Sequence, residues 1–268
     1  MITVTTCFPG GKNKCLTMSY DDGVFQDKKL IKIFNQYGIK GTFHLNSAMF
    51  GKAERYLKPE EVFETYRGHE ASCHTATHPA IDQCPLPYVA LEVLEDRKTL
   101  EGIFGYPVRG MSYPFGVHTA EIRQMLPSLG IEYARVVGDS FDFSLPADFL
   151  QWKATCHHSH RLMEMAEKFI AVDRFIHPCL FYVWGHSYEF DLEQNWNLIE
   201  DFCKRVGGRD DTWYATNIEI VDYVNTYKRL RFAADNSFVY NPSAASAWVR
   251  VGRAEPVEIK GGALVQLP

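Results

Sequence analysis

The sequence of 268 residues has no long hydrophobic run. A helix that spans a bilayer needs roughly 18 consecutive apolar residues, and no stretch of this chain approaches that length. It also has no excess of basic charge: 28 Lys and Arg stand against 33 Asp and Glu, for a net charge of −5. The first absence argues against a membrane protein. The second argues against nucleic acid as a partner, since binding a phosphate backbone needs a basic surface.

Cysteine pairs of the CxxC type are also missing. The seven cysteines are odd in number, so they cannot all be bridged within the chain, and we expect reduced thiols. The first ten residues have no basic segment followed by an apolar stretch. We therefore expect a cytoplasmic protein, unless a signal segment has been removed.

What the sequence does contain is enough apolar material for a large core, with 46% hydrophobic and 14% aromatic residues. Its length is within the range of a single α/β barrel. Residues 15–20 indicate a buried strand, residues 28–37 an amphipathic helix and residues 41–47 a second strand, which together make a βαβ unit.

The same alternation continues along the chain. We predict helices at 59–66, 88–104, 120–129, 160–169 and 195–205, and strands within 69–74, 110–113, 133–137 and 179–184. This favours a parallel sheet, either a barrel or a doubly wound sheet. Short strand-like pieces follow at 238–240, 247–251, 256–259 and 263–267, so we predict a main domain at 1–230 and a β-rich C-terminal appendage at 231–268.

Two adjacent carboxylates, Asp21 and Asp22, stand at the end of the first of these strands, before Gly23. A glycine there lets the backbone turn sharply, so the two side chains can point in different directions. One can bind a metal while the other stays available as a base. The alternative is a cap for the helix that follows.

His74 and His78 are four residues apart, a spacing that a helical turn would bring onto one face. Two imidazoles and one carboxylate would form a three-ligand site with open positions, which is typical of a catalytic metal. Two unrelated histidines are the alternative for this motif taken alone.

Together, the strings SYDDG, HTATHP, YPFG and WGH resemble, in this order, the motifs of the polysaccharide deacetylase family, also called the NodB-homology or carbohydrate esterase 4 family. The resemblance covers about residues 17–224. It implies an α/β fold, a distorted and incomplete (β/α)7-type barrel with active-site loops at the carboxyl ends of the strands. It also implies that Asp21 is the general base and that Asp22, His74 and His78 bind a divalent metal, Zn²⁺ before other transition metals.

The later motifs carry further implied roles. The Phe115 N–H would help to bind the oxyanion, but Ser112 stands where the family has an Arg that orients the base. Arg109 is a candidate substitute, with a plain surface charge as the alternative. Asp142 would orient the catalytic histidine, unless its segment is a simple loop, and His186 would be the general acid.

The resemblance leaves the substrate pocket to be assigned from composition. Candidate substrate contacts are Trp152, Trp184, Tyr188 and Glu189, with His157 and His158 nearby in sequence. His44 and Asn46 alternate on the second strand and could face the barrel mouth, although core packing or a hydrogen bond would explain either one equally well.

We therefore predict a metal-dependent hydrolase of non-peptide C–N bonds, which uses metal-activated water to deacetylate an N-acetylated sugar or oligosaccharide. The serine at position 112 keeps open the hydrolysis of a small non-sugar amide or ureide, as in allantoinase-like members. A non-catalytic carbohydrate-binding barrel is the third alternative. No membrane or nucleic-acid partner is expected, and the oligomeric state is not predicted.

Overall fold

The computed structural model describes residues 3–173 and 177–268. Its strands are β1 (Val4–Cys7), β2 (Lys14–Asp21), β3 (Gly41–Leu45), β4 (Glu70–Cys73), β5 (Gly110–Ser112), β6 (Tyr133–Asp139), β7 (Trp152–Ala154), β8 (Cys156–His157), β9 (Cys179–Gly185), β10 (Thr212–Tyr214), β11 (Arg231–Phe232), β12 (Phe238–Tyr240), β13 (Ala247–Val251), β14 (Val257–Ile259) and β15 (Leu264–Gln266). Its helices are α1 (Asp27–Gln36), α2 (Pro59–Tyr66), α3 (Leu86–Phe104), α4 (Ala120–Met125), α5 (Leu162–Ala171), α6 (Glu189–Leu192), α7 (Trp196–Val206) and α8 (Asn217–Lys228).

The central feature is a nine-stranded parallel sheet in the order β7, β6, β5, β4, β3, β2, β9, β8, with β10 paired to β2 as well. The predicted α/β fold is confirmed. A single extended segment, 152–157, pairs with β6 through its first half and with β9 through its second half. The sheet therefore curls into an incomplete barrel.

Strand β2 shows how the sequence builds this barrel. All eight of its residues are buried, and they alternate between two environments. Leu16, Met18 and Tyr20 belong to the main hydrophobic core, whereas Thr17 donates a hydrogen bond to Asn217 at the start of α8 (2.9 Å). Side chains of a strand point alternately to its two faces, so one face packs on helices and the other faces the barrel interior.

The C-terminal residues form two small antiparallel sheets, in agreement with the predicted β-rich character of 231–268. One of these sheets includes β1, which the sequence analysis missed, because Val4 pairs with Val251 of β13. The predicted domain boundary at residue 230 stays a prediction. Helix α8 and strand β10 were also missed.

Membrane-spanning helices and disulfide bonds are both absent from the described ranges. No helix within 3–173 and 177–268 is long and apolar enough to cross a bilayer. None of the seven cysteines, all of which lie in these ranges, forms a disulfide bond.

The packing of β13 generates a stability prediction. Val249 is fully buried among the apolar side chains of the C-terminal sheets, whereas Leu264 of β15 is 62% exposed. We expect Val249→Ala to lower the free energy of unfolding by about 2 kcal/mol, because it removes buried methyl groups and leaves a cavity. Leu264→Ala is the control and should change it by less than about 0.5 kcal/mol. Urea unfolding measures both, and equal effects would contradict a docked C-terminal sheet.

Candidate metal centre and active site

Polar side chains from distant parts of the chain meet at the carboxyl edge of the sheet. Asp21 ends β2, His74 follows β4, Ser112 ends β5, Arg135 lies in β6 and His186 follows β9. Because the strands are parallel, their carboxyl ends open onto the same end of the barrel. The structure therefore brings together residues that the sequence separates widely.

The two adjacent carboxylates point in different directions, as the glycine after them predicts. Asp21 still belongs to β2 and is 2% exposed, whereas Asp22 has a left-handed backbone with φ of 80°. The Asp22 N–H donates to the His44 carbonyl (2.9 Å), and Gly23 continues the turn with φ of 67°. The turn leaves Asp21 inside the barrel and carries Asp22 toward its mouth.

Asp22, His74 and His78 converge as the resemblance implies. Asp22 Oδ1 lies 3.7 Å from the Nε2 atom of each histidine, and one ligand atom from each of the three residues lies within 4.8 Å of the others. The His74 Nδ1 lies 2.9 Å from the Ser112 carbonyl oxygen, which can accept its proton and leave Nε2 for a metal. The donor set, two imidazoles and a carboxylate, fits a divalent transition metal.

The segment that carries the two histidines corrects one expectation. His74 and His78 do not lie on a helical turn: residues 74–78 form an irregular loop after β4. Thr75 and His78 have left-handed backbones, with φ of 62° and 59°, and this geometry brings the two imidazole rings to 4.7 Å between centroids. The spacing was informative, but the local structure behind it was predicted wrongly.

Helix α3 holds this loop in place. The buried Asp96 carboxylate accepts the N–H groups of His74 and Ser47 (2.9 Å each). One turn earlier, Glu92 accepts the Thr77 N–H (2.8 Å). Asn46, which the sequence analysis left open, donates to the His74 carbonyl (2.6 Å), so it has a structural hydrogen bond.

Arg135 is the basic partner of Asp21, and the sequence analysis missed it. A guanidinium nitrogen of Arg135 forms a close ion pair with Asp21 Oδ2, and the Arg135 side chain is 1% exposed. In the sheet, Arg135 stands directly beside Ser112. As the only charged residue in the apolar strand predicted at 133–137, Arg135 could have been marked as a functional candidate, although its partner could not.

The candidate substitute Arg109 lies elsewhere. Its guanidinium pairs with Asp222 (2.7 Å) and Glu132 (3.0 Å) on the outside of the barrel. Its alternative interpretation as a surface charge agrees with the structure. An arginine therefore stands beside Ser112 on the neighbouring strand, in register with it, although position 112 itself has none.

The electrostatics of Asp21 follow from this arrangement. Burial alone would raise the pKa of Asp21, but the Arg135 guanidinium and the nearby imidazoles, His74 first among them, hold this pKa well below its usual range. Ser112 Oγ donates to Asp21 Oδ1 (3.1 Å). Asp21 is therefore an oriented carboxylate that is ionised at neutral pH.

His186 has a different partner from the one that the resemblance implied. Its Nδ1 lies 3.2 Å from Glu189 Oε1, and its backbone N–H donates to Glu189 Oε2 (3.0 Å). Asp142 is exposed and accepts the Ser144 N–H (2.8 Å), and no contact between Asp142 and His186 is formed among the described residues. Burial lowers the pKa of His186, but hydrogen bonding to Glu189 and the charge of Asp21 outweigh it and raise this pKa.

The remaining predicted residues divide into two groups. Tyr188 lies beside His186, with 5.2 Å between ring centroids, and the Phe115 ring lies 4.5 Å from that of His78 at the rim of the site. Phe115 has a left-handed backbone with φ of 57°. Both positions suit contact with a substrate.

The second group is buried. Trp152 is 1% exposed and packs among core aromatics, 4.8 Å from Tyr182 between ring centroids, so its prediction as a substrate contact is not supported by its position. Trp184 is 7% exposed and lies under the Arg135 guanidinium (4.4 Å). His44 is buried and bonds to Ser19 Oγ (2.9 Å).

Comparison with known proteins supports the resemblance. Residues 9–134 match the family model described as polysaccharide deacetylase. A Mycobacterium smegmatis protein assigned to the polysaccharide deacetylases has the same fold, with a TM-score of 0.64 and 15% identity over 85% of this chain and 96% of that one. A family 4 carbohydrate esterase from Streptomyces lividans, solved in complex with acetate, matches with a TM-score of 0.50 and 14% identity over 76% of this chain and 93% of that one.

The match to the Streptococcus pyogenes deacetylase PplD, also solved with acetate, is shorter. It has a TM-score of 0.43 and 16% identity, and it covers 45% of this chain and 55% of that one. This chain therefore spans about half the length of that protein.

The contacts of α3 generate a prediction about the histidine loop. We expect Asp96→Asn to lower the free energy of unfolding by about 1–3 kcal/mol, because an amide places its NH₂ group against one of the two N–H donors. Glu95→Gln, on the exposed face of the same helix, is the control and should have little effect. Guanidinium unfolding measures both variants. If the two variants were equally stable, the carboxylate would not hold the loop.

Proposed function

We propose that this chain, which is related to the polysaccharide deacetylases, is a metal-dependent hydrolase that removes the acetyl group from an N-acetylated sugar or oligosaccharide. The observation that carries the proposal is the position of Asp21. Its buried, ionised carboxylate lies 3.8 Å from Nε2 of His74, beside the convergent ligand atoms of Asp22, His74 and His78. A base next to a three-ligand metal site is the arrangement that amide hydrolysis by activated water needs.

Each protein group has a defined part in the mechanism. Asp22, His74 and His78 would hold a divalent ion, which supplies Lewis-acid activation of a water and of the acyl carbonyl when it is bound. Asp21 takes a proton from the attacking water, and Arg135 and Ser112 keep the carboxylate ionised and oriented. The developing oxyanion would accept a hydrogen bond from the Phe115 N–H.

The leaving nitrogen must be protonated before the C–N bond can break. His186 is suited to this step, because Glu189 binds its Nδ1 and leaves Nε2 as the nitrogen that can donate. Hydrogen bonding to Glu189 and the charge of Asp21 outweigh burial and raise the pKa of His186, which is the direction that a proton donor needs. Asp21 and His186 thus act as base and acid in one site.

Hydrolysis of a small non-sugar amide or ureide was kept open because Ser112 replaces the usual arginine. Arg135 supplies a guanidinium to Asp21 from the next strand. The serine at position 112 therefore no longer favours this alternative substrate class. A direct comparison of acetate release from chitooligosaccharides with hydrolysis of cyclic amides and ureides separates the two substrate classes.

The central test replaces the base. Asp21→Asn should reduce acetate release by about 10²–10⁴-fold, because an amide cannot accept the proton, while bound metal measured by atomic emission stays unchanged. Asp201→Asn, an exposed position on α7, is the matched control and should keep full activity. Near-normal turnover by Asp21→Asn would refute the assigned base, and wild-type protein without bound metal would refute the metal site.

The Arg135 ion pair generates a pH prediction. Arg135→Met removes the charge that holds the pKa of Asp21 down, so this pKa should rise and the acid limb of the pH–rate profile should move to higher pH. We expect activity at neutral pH to fall by about 10²-fold as the carboxylate loses its orientation. Arg135→Lys should recover part of the loss, and Arg109→Met should behave as wild type. An unmoved acid limb in Arg135→Met would exclude this arginine as the partner of the base.

The contact between Glu189 and His186 generates a prediction for the alkaline limb of the pH–rate profile. The general acid must be protonated, so the rate falls as the pH rises through the pKa of His186. Glu189→Gln removes the negative charge that raises this pKa, and the alkaline limb should therefore move to lower pH. Asp142→Asn is the control, and its profile should match that of the wild type. A shift in Asp142→Asn alone would restore the role that the resemblance implied.

A further inference from the structure

A second cluster of potential metal ligands lies beside His186. His157, His158 and Glu189 each offer a ligand atom, and these atoms lie within 4.8 Å of one another. Glu189 Oε2 is 3.1 Å from Nε2 of His157 and 3.3 Å from Nε2 of His158. Both imidazoles therefore direct the same nitrogen to one carboxylate oxygen.

Glu189 Oε2 has more nitrogen neighbours than it can accept hydrogen bonds from. Besides the two imidazoles, it accepts the backbone N–H of His186 (3.0 Å). A carboxylate oxygen has about two lone pairs, so three N–H donors cannot all be satisfied. Accordingly, neither ring nitrogen of the fully buried His158 makes a hydrogen bond within the described part of the chain. A buried imidazole in that state is costly unless something else occupies the space between the rings and the carboxylate.

The ring of His158 is held in one position by its packing. Its ring lies between the rings of Tyr20 and Phe190, with centroids at 5.7 and 4.2 Å and nearly parallel planes. Gly185 makes room for it, since a Cβ atom there would lie 2.1 Å from His158 Nδ1. The ring is thereby fixed with Nε2 toward Glu189.

We propose that His157, His158 and Glu189 form a second binding site for a divalent transition metal of the zinc class, separate from the Asp22, His74 and His78 site. In a tetrahedral zinc site with bonds of about 2.0–2.1 Å, ligand atoms lie about 3.3 Å apart. The two nitrogen-to-oxygen distances, 3.1 and 3.3 Å, agree with that edge. The cation takes one lone pair of Glu189 Oε2, and the His186 N–H takes the other.

The proton on Nδ1 of His157 has a hydrogen-bond acceptor. Its Nδ1 lies 2.7 Å from Ser159 Oγ, which can accept the proton and leave Nε2 for the cation. In the competing, metal-free arrangement, Nδ1 accepts the Ser159 N–H (3.3 Å) and Nε2 donates to Glu189. Glu189 Oε1 keeps its contact with His186 in both arrangements. Metal binding at the second site can therefore be measured independently of hydrolytic activity.

Cobalt titration tests the site. Full-length protein stripped by a chelator is titrated with Co²⁺, and the visible absorption of bound cobalt is followed, with metal analysis after gel filtration. Wild-type protein should bind two equivalents. His158→Phe keeps an aromatic ring in the stack and should bind one, as should Glu189→Gln, which decides the matter if His158→Phe does not fold. His160→Ala, an exposed neighbour, is the control and should bind two.

The outcome for each site can be read separately by adding His78→Ala. If wild type binds one equivalent and His78→Ala abolishes it, the second site does not exist and the proposed function stands. If the single equivalent survives His78→Ala but is lost in His158→Phe, the second site is real and the metal centre of the proposed hydrolase is refuted. Two equivalents in both His158→Phe and Glu189→Gln would also overturn the proposal.

Discussion

The buried ion pair between Asp21 and Arg135 is the constraint around which the site is arranged. Both side chains are almost fully enclosed, and removal of one partner from such a pair costs about 3–5 kcal/mol because the other charge is left buried. The pair also joins four strands. Asp21 ends β2, Arg135 lies on β6, Ser112 of β5 bonds to Asp21, and Trp184 of β9 lies under the guanidinium. This ion pair is thus part of what holds the four strands together at this end of the sheet.

A second constraint is backbone strain at the mouth of the barrel. Asp22, Thr75, His78 and Phe115 all have left-handed backbones although none is glycine. Such conformations cost of order 1–3 kcal/mol each and persist only where surrounding contacts fix them. The α3 carboxylates supply those contacts for the histidine loop by accepting its N–H groups. The loop that carries His74 and His78 is therefore fixed by contacts within the protein.

The sequence predicted those parts of the site that lie within short strings. SYDDG, HTATHP and WGH identified Asp21, Asp22, His74, His78 and His186, and the structure brings these residues together. It could not identify Arg135 as the partner of Asp21, because that contact depends on the register between β5 and β6, which no local pattern records. Trp152 was misplaced for a related reason: composition cannot tell which face of a strand packs inward.

The fold was predictable to a similar degree. Amphipathic helices and buried strands were recognised because each carries its own periodicity. Strand β1 escaped because its pairing partner, β13, lies at the other end of the chain. Glu189, by contrast, stands three residues after His186, so its contact could have been inferred from spacing alone had the resemblance to the family not directed attention to Asp142.

The extended segment 152–157 joins the two edges of the curled sheet through strands of only three and two residues. Short strands with few backbone bonds are where a native protein first opens locally. Since His157 belongs to this segment and contacts Glu189, which is the partner of His186, a local opening of the segment would disturb the surroundings of His186 while the rest of the sheet stays intact.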